Sequence, residues 1–314
     1  MPTFCRHNRL LQNCTICARE QNFEARPVVS SSAPKSTQPR EAAERGPGEA
    51  RAPRAPRAPR TPTTRSAANA VRVRQLARGA EDGFRSPLVP GLKSSQDAER
   101  LTEEIAFATW RLSLMEQVAA GEAVAEAPVS WSEIAADGDL DARTLDAARH
   151  VLNGPRGLED GTRLEEAVLG LEAWGGRSGG LPVAFSGETS WSPERRFERT
   201  FERLGGVHGL DRDIRYELLT LLGRLGLYEL RAGKLFPGGE NEATWAAKRA
   251  LGIGDPLLLE RRAAELAEAC GAPIEALDLG LHNWGSGARV ADGLPEDAVG
   301  DEAVLEQARS SLGL

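Results

Sequence analysis

Two groups of residues in this chain have the types and spacing that chemistry needs. The first is Cys5-Arg6-His7, then six residues, then Cys14-Thr15-Ile16-Cys17, a C-x-H-x6-C-x2-C pattern. Thiolates with a neutral imidazole can close a tetrahedral zinc site, and C-x2-C is the tight turn such sites use. Metal binding would supply the folding free energy that so short a segment cannot draw from a core. Cys5, His7, Cys14 and Cys17 are therefore the expected ligands of a structural zinc ion, in a knuckle over residues 1–23. The bland alternative is a chance cluster of thiols beside an N-terminal histidine. Whether such a knuckle meets DNA or a protein partner stays open at this level.

The second group runs from Lys248-Arg249 through Leu251-Gly252-Ile253-Gly254 to Asp255-Pro256 and the helical stretch Leu257–Ala267. A helix ends, Gly-Ile-Gly turns the chain, and Pro256 opens the next helix at a position where proline is tolerated. The two glycines give access to backbone torsions closed to other residues and let backbone N–H groups approach a phosphate. Ile253 would fill the space between the two helices. This is the physical design of a helix-hairpin-helix, which grips the DNA backbone without reading sequence. Downstream stands Leu277-Asp278-Leu279, an acid flanked by apolar residues and poised for partial burial at the start of a helix. Such an acid could stabilise developing positive charge or move a proton. It could equally be a helix-start acid favoured by the macrodipole alone. His282, four residues on, shares its helical face and is either its partner or a packed core residue.

The elements that must position these groups are helical. Apolar residues recur near the 3.6 period in Glu103–Val118, in Ser132–Leu152 as one or two helices, with Asp141 a candidate cap, and in Thr162–Trp174. After a Gly/Pro/Ser-rich loop the pattern resumes in Pro193–Leu204, Asp211–Leu225, Glu242–Leu251, Pro256–Cys270 and Ile274–Trp284. Period-2 alternation is almost absent, so the expected fold class is all-α. Residues 24–98 differ. Their Arg-Ala-Pro repeat over 51–60 favours extended polyproline II, and they hold too few large apolar side chains to offset chain entropy. They read as a disordered basic linker, leaving a helical domain over 99–290 and a C-terminal tail with a short helix over 291–314.

Charge follows the same division. Residues 1–98 carry 17 Lys+Arg against 8 Asp+Glu, whereas residues 99–314 carry 22 against 38. A cationic arm on an acidic body suits assisted phosphate contact and argues against tight, unassisted DNA binding by the body. Arg outnumbers Lys 35 to 4, which makes each lysine, Lys248 included, worth inspection. No run of 18 apolar residues and no secretory h-region is present, and three of the four cysteines sit at metal spacing. These features lead to a cytoplasmic, reducing location with no membrane contact. Cys270 reads as a small buried apolar residue, His208 as a solvent-facing loop residue, and Arg212, Arg215 and Arg224 as occupants of a solvated face.

The hairpin, the paired Ala263-Ala264 and the acid 24 residues after Gly254 together resemble the helix-hairpin-helix DNA glycosylase superfamily. More narrowly, Phe197 to Gly285 resembles the alpha-glutamyl/putrescinyl thymine pyrophosphorylases, in particular their bacterial, non-phage branch. The residues that carry this are Phe201–Leu204, Arg215–Leu219, Leu222–Gly226, Ala247–Arg249, Gly252–Pro256, Leu259–Ala263, Leu277–Leu279 and Asn283–Gly285. The resemblance implies a transferase in which an amine such as glutamate or putrescine displaces pyrophosphate from a 5-(pyrophosphoryloxymethyl)uracil in DNA. Asp278 and His282 would then serve the reacting centre, and Lys248 and Arg249 the departing pyrophosphate. Gly252, Ile253 and Gly254 would hold the DNA backbone, and Trp245 or Trp284 would stack on the base. One departure matters. Glycosylases with lyase activity carry a lysine just after the second hairpin glycine, where this chain has Asp255-Pro256, so Schiff-base strand cleavage from that position is excluded. Asp255 beside the turn also weakens its grip on phosphate. A monofunctional DNA glycosylase and a non-catalytic nucleic-acid adaptor remain the competing readings.

Overall fold

The computed structural model describes residues 81–314 apart from 159, 240 and 296, and in them eleven α-helices and no strand. Across the described residues the chain is all-α. The knuckle expected at Cys5, His7, Cys14 and Cys17 and the linker up to residue 80 lie outside them.

The helices are α1 Ser95–Ala119, α2 Val129–Ala135, α3 Leu140–Asn153, α4 Gly161–Gly176, α5 Leu181–Ser186 and α6 Pro193–Leu204. They continue with α7 Arg212–Arg224, α8 Glu242–Leu251, α9 Pro256–Ala269, α10 Ile274–Ser286 and α11 Glu302–Leu312. Side-chain caps set many of the starts. Ser94, Asp160, Ser192, Asp211, Asn241, Asp255 and Asp301 each accept a hydrogen bond from a backbone N–H of the first turn. The cap of α3 is Asp139 rather than Asp141. Asp141 instead accepts from the N–H of Leu181 at 2.9 Å and so ties α5 to α3.

Two boundaries differ from the periodicity. A domain start at Glu99 falls inside α1, and the chain just before it packs on the body: Val89 and Leu92 are buried, and Gly91 N–H donates to Ala250 O at 3.0 Å. One apolar residue in every few, among proline and glycine, leaves no periodic trace of this. Helix α5 stands in what reads as loop because burial of Leu181, Ala184 and Phe185 outweighs weak local propensity.

The long α1 and the almost wholly buried α10 form the axis of the domain. Helix α10 packs on α1 and α8, and α11 also packs on α1. A Cβ at Gly280 would lie 3.1 Å from Ile105 Cα, a tight contact that glycine avoids where α10 crosses α1. Helix α3 joins α4 and α7 into a second group, and α7 also meets α6. Between α6, α7 and the loop after α7 the rings of Phe197, Phe201 and Phe236 stack, with Phe201 and Phe236 centroids 4.7 Å apart, and Tyr216 meets them edge-on. No helix among the described residues is long and apolar enough to cross a membrane.

Candidate functional site

The hairpin forms as its residues require. Helix α8 ends at Gly252, which adopts a left-handed φ of 65°, and α9 begins at Pro256. Ile253 is half-buried against the core. The Asp255 carboxylate accepts from Leu258 N–H at 3.0 Å, so the positive end of α9 already carries an anion of the chain itself. Gly254 has open space around it. On the flank of this turn Trp245 is 55 % exposed, and Leu257 and Leu258 are exposed beside it in sequence on α9. Lys248 places its ammonium 5.4 Å from the Trp245 ring centroid.

The two tryptophans named as stacking platforms have different fates. Trp284 is 2 % exposed and its indole N–H donates to Asp97 O at 2.9 Å, so it is part of the core. Arg249 lies over that ring at 4.5 Å and pairs with Asp97 at 3.1 Å, which commits it to joining α8, α10 and α1. Trp245 is the tryptophan of the two that a nucleobase can reach.

Asp278 occupies a different place, at the centre of a buried ion cluster. It is 0 % exposed. Arg156 donates to its Oδ2 at 3.0 Å, and Arg212 Nη1 lies 2.5 Å from its Oδ1. Arg212 comes from α7, and Arg156 from the loop after α3. The same two guanidinium groups reach Asp213, at 3.0 Å from Arg212 and 3.3 Å from Arg156. Arg156 also donates to Glu217 at 3.2 Å. Burial lowers the affinity of the Arg156 guanidinium for its proton, but Asp278, Asp213 and Glu217 outweigh it and raise its pKa above the ordinary range. Burial likewise opposes ionisation of Asp213. Nearby His282, Arg156 and Arg212 win, and hold that carboxyl well below the usual range. His282 does not pair with Asp278. Its Nδ1 makes no hydrogen bond among the described residues and lies 3.6 Å from Asp213 Oδ2. Of the expected catalytic residues, the structure therefore brings Asp278 and His282 to one cluster through Asp213, while Lys248 stands over Trp245 on α8.

Two expectations about arginines are corrected. Arg212 is buried rather than solvated, stacked 4.5 Å over the Tyr216 ring and bonded to the Leu235 and Phe236 carbonyls. Arg224 is nearly covered and meets Glu116 at 2.6 Å and Glu275 at 3.2 Å. Arg212 meets Asp278, and Arg224 meets Glu116 and Glu275, across distant sequence, which no local pattern reports. Arg215 is half-buried and donates to Phe201 O at 2.9 Å. Cys270 is buried as expected, its thiol pKa pushed up to about 11 by burial, and His208 is exposed.

The cluster extends through residues that periodicity does not single out. Arg111 of α1, 1 % exposed, bonds Glu217 on one side and donates to Asp292 Oδ2 at 2.9 Å on the other. His150, at the end of α3, has its Nε2 3.0 Å from the same Asp292 oxygen. Asp292 and His150 face an open cleft of about 690 Å³ lined also by Pro128, Ser130, Pro155 and Leu294. A void of about 10 Å³ between Arg111, Arg156, Glu217 and Asp292 lies between cleft and cluster. The available signal was charge in an apolar stripe: Arg111 between Trp110 and Leu112, and Glu217 between Tyr216 and Leu218.

Compared with family models, with curated proteins and with solved structures, the chain matches none. Function therefore rests on the site. No grouping of three or more His, Cys, Asp or Glu that could hold a metal ion occurs among the described residues.

Proposed function

We propose that this protein modifies a base in DNA, displacing pyrophosphate from a 5-(pyrophosphoryloxymethyl)uracil with an amine such as glutamate or putrescine. The observation that carries the reading is the glycine-turned α8–α9 hairpin, flanked by exposed Trp245 and Lys248 and followed by α10 with Asp278 at the heart of an arginine cluster. The hairpin suits a DNA backbone, and Trp245 suits a base. The basic N-terminal arm adds attraction for phosphate. The N-terminal Cys/His pattern completes the proposal as a zinc knuckle.

The reaction needs a C–N bond to form at the base's exocyclic carbon while the C–O bond breaks and its electron pair leaves with pyrophosphate. The nitrogen then gives up a proton. In this scheme Asp278 acts chiefly through Arg156 and Arg212, which it holds charged and aligned. A pyrophosphate competes for guanidinium groups in the same bidentate geometry that carboxylates use. Lys248 would neutralise phosphate at the hairpin.

The test is nucleoside mass spectrometry on duplexes carrying thymine, 5-hydroxymethyluracil or its pyrophosphorylated form, incubated with either amine. An aminated nucleoside from the pyrophosphorylated duplex alone, lost in Arg156→Lys, supports the transferase. An abasic site would move the answer to a monofunctional glycosylase. Bound DNA without product would leave a nucleic-acid adaptor, the reading that the sealing of Asp278 favours.

A further inference from the structure

The cleft beside the buried cluster has its own chemistry. Its floor holds His150 and Asp292, and its walls are the apolar faces of Pro128, Pro155 and Leu294 with the hydroxyl of Ser130. Both guanidinium groups at this site are already held by carboxylates. Arg111 sits between Glu217 and Asp292, and Arg289 is bonded to Glu104 at 3.0 Å. With the Asp292 carboxylate at its surface, the cleft suits an amine better than a phosphate.

The imidazole is oriented. Nε2 lies 3.0 Å from Asp292 Oδ2 and 3.4 Å from the Trp131 indole nitrogen. A single Nε2 cannot both donate to the carboxylate and accept from the indole. The shorter, charge-assisted contact decides it, so Nε2 carries the proton and Nδ1 is left as the acceptor. Nδ1 makes no hydrogen bond among the described residues. Asp292 is fixed from behind by Arg111 and from its own backbone by a left-handed φ of 53°, followed by Gly293 at 89°. A non-glycine residue in that region is sparsely populated and persists only where its surroundings impose it.

We propose that His150, oriented by Asp292, is the general base that takes the proton from the amine nucleophile, and that the cleft is the amine's binding site. This rests on the transferase reading. As the nitrogen bonds to carbon and pyrophosphate departs with the C–O electron pair, the surplus N–H proton passes to His150 Nδ1. The resulting imidazolium is paired with Asp292, and the amine's methylenes lie against the prolines and Leu294.

Selective ¹⁵N-imidazole labelling of the full chain, which has four histidines, permits a direct test, with His150→Gln assigning the signals. Putrescine or glutamate is expected to shift the His150 nitrogens saturably, and no saturable shift with either amine overturns the proposal. In single-turnover amination of the pyrophosphorylated duplex, His150→Gln should bind duplex normally and lose about 100- to 10,000-fold in rate. That deficit should shrink with hydroxylamine, whose nitrogen sheds its proton to water more readily once bonded to carbon. An equal deficit with hydroxylamine marks a merely structural role and overturns the proposal, as does unchanged amination in His150→Gln. A wild-type protein that binds amine at His150 yet never aminates the duplex removes the transferase reading and keeps the amine site.

Discussion

Asp278 and Asp292 are both aspartates held by arginine, and they sit at opposite ends of one chain of charges. Asp278 has each oxygen engaged by a different guanidinium and is sealed from solvent. Asp292 shares one oxygen between Arg111 and His150, and its side chain keeps 11 % of its surface at an open cleft. A sealed carboxylate with both oxygens paired is a keystone for packing, costly to lose because its partners remain charged. A carboxylate at a cleft, with an imidazole in front and an arginine behind, is arranged to orient a group that moves protons. The comparison teaches that an acid in an apolar stretch identifies where charge is buried. It does not identify where solvent and substrate arrive.

The largest expected effect separates the two aspartates by stability. Asp278→Ala takes from Arg156 and Arg212 one of the two carboxylates they share, in a site sealed from water, and should cost about 3–5 kcal/mol in urea unfolding. Asp292→Ala should cost less, about 1–3 kcal/mol, because Arg111 retains Glu217. Equal losses would break the distinction between keystone and cleft residue.

Next is the link between the two ends. A double-mutant cycle on Arg111→Met and Asp292→Asn should show coupling of about 0.5–3 kcal/mol, since the pair is in contact at 2.9 Å. Additive effects would mean that the Arg111 bridge does not tie the ends together.

Acid unfolding sharpens the comparison further. Asp213 is held below its ordinary value of 3.8 against burial by His282, Arg156 and Arg212, and Asp292 likewise against burial by His150 and Arg111. For groups depressed in the folded state, the stabilisation is complete above the unfolded pKa and is lost as pH falls through the folded one. Stability should therefore decline once pH drops below 3.8. Asp213→Asn and Asp292→Asn should each flatten that decline, and an unchanged profile in both variants would contradict the assigned ion pairs.

The smallest stability effect is expected at the hairpin. Trp245→Ala removes an exposed ring and should leave stability within about 0.5 kcal/mol of wild type. The same change should weaken single-stranded DNA binding by about 1–3 kcal/mol in a fluorescence titration. Unaltered binding would remove Trp245 as a stacking platform.

By itself the sequence determined the helical class, the hairpin and most helix limits. These rest on local physics: the 3.6 period, and glycine and proline at 252–256. It also marked Asp278 as an acid in an apolar setting. Only the tertiary structure decided what those residues face. Asp278 meets Arg156 and Arg212, separated from it by 122 and 66 positions, and His150 meets Asp292 across 142. Ion pairs of that kind leave no periodic trace, because a charge's partner is set by which helices pack together. The cleft itself is the space those helices leave between them, and no residue pattern encodes it.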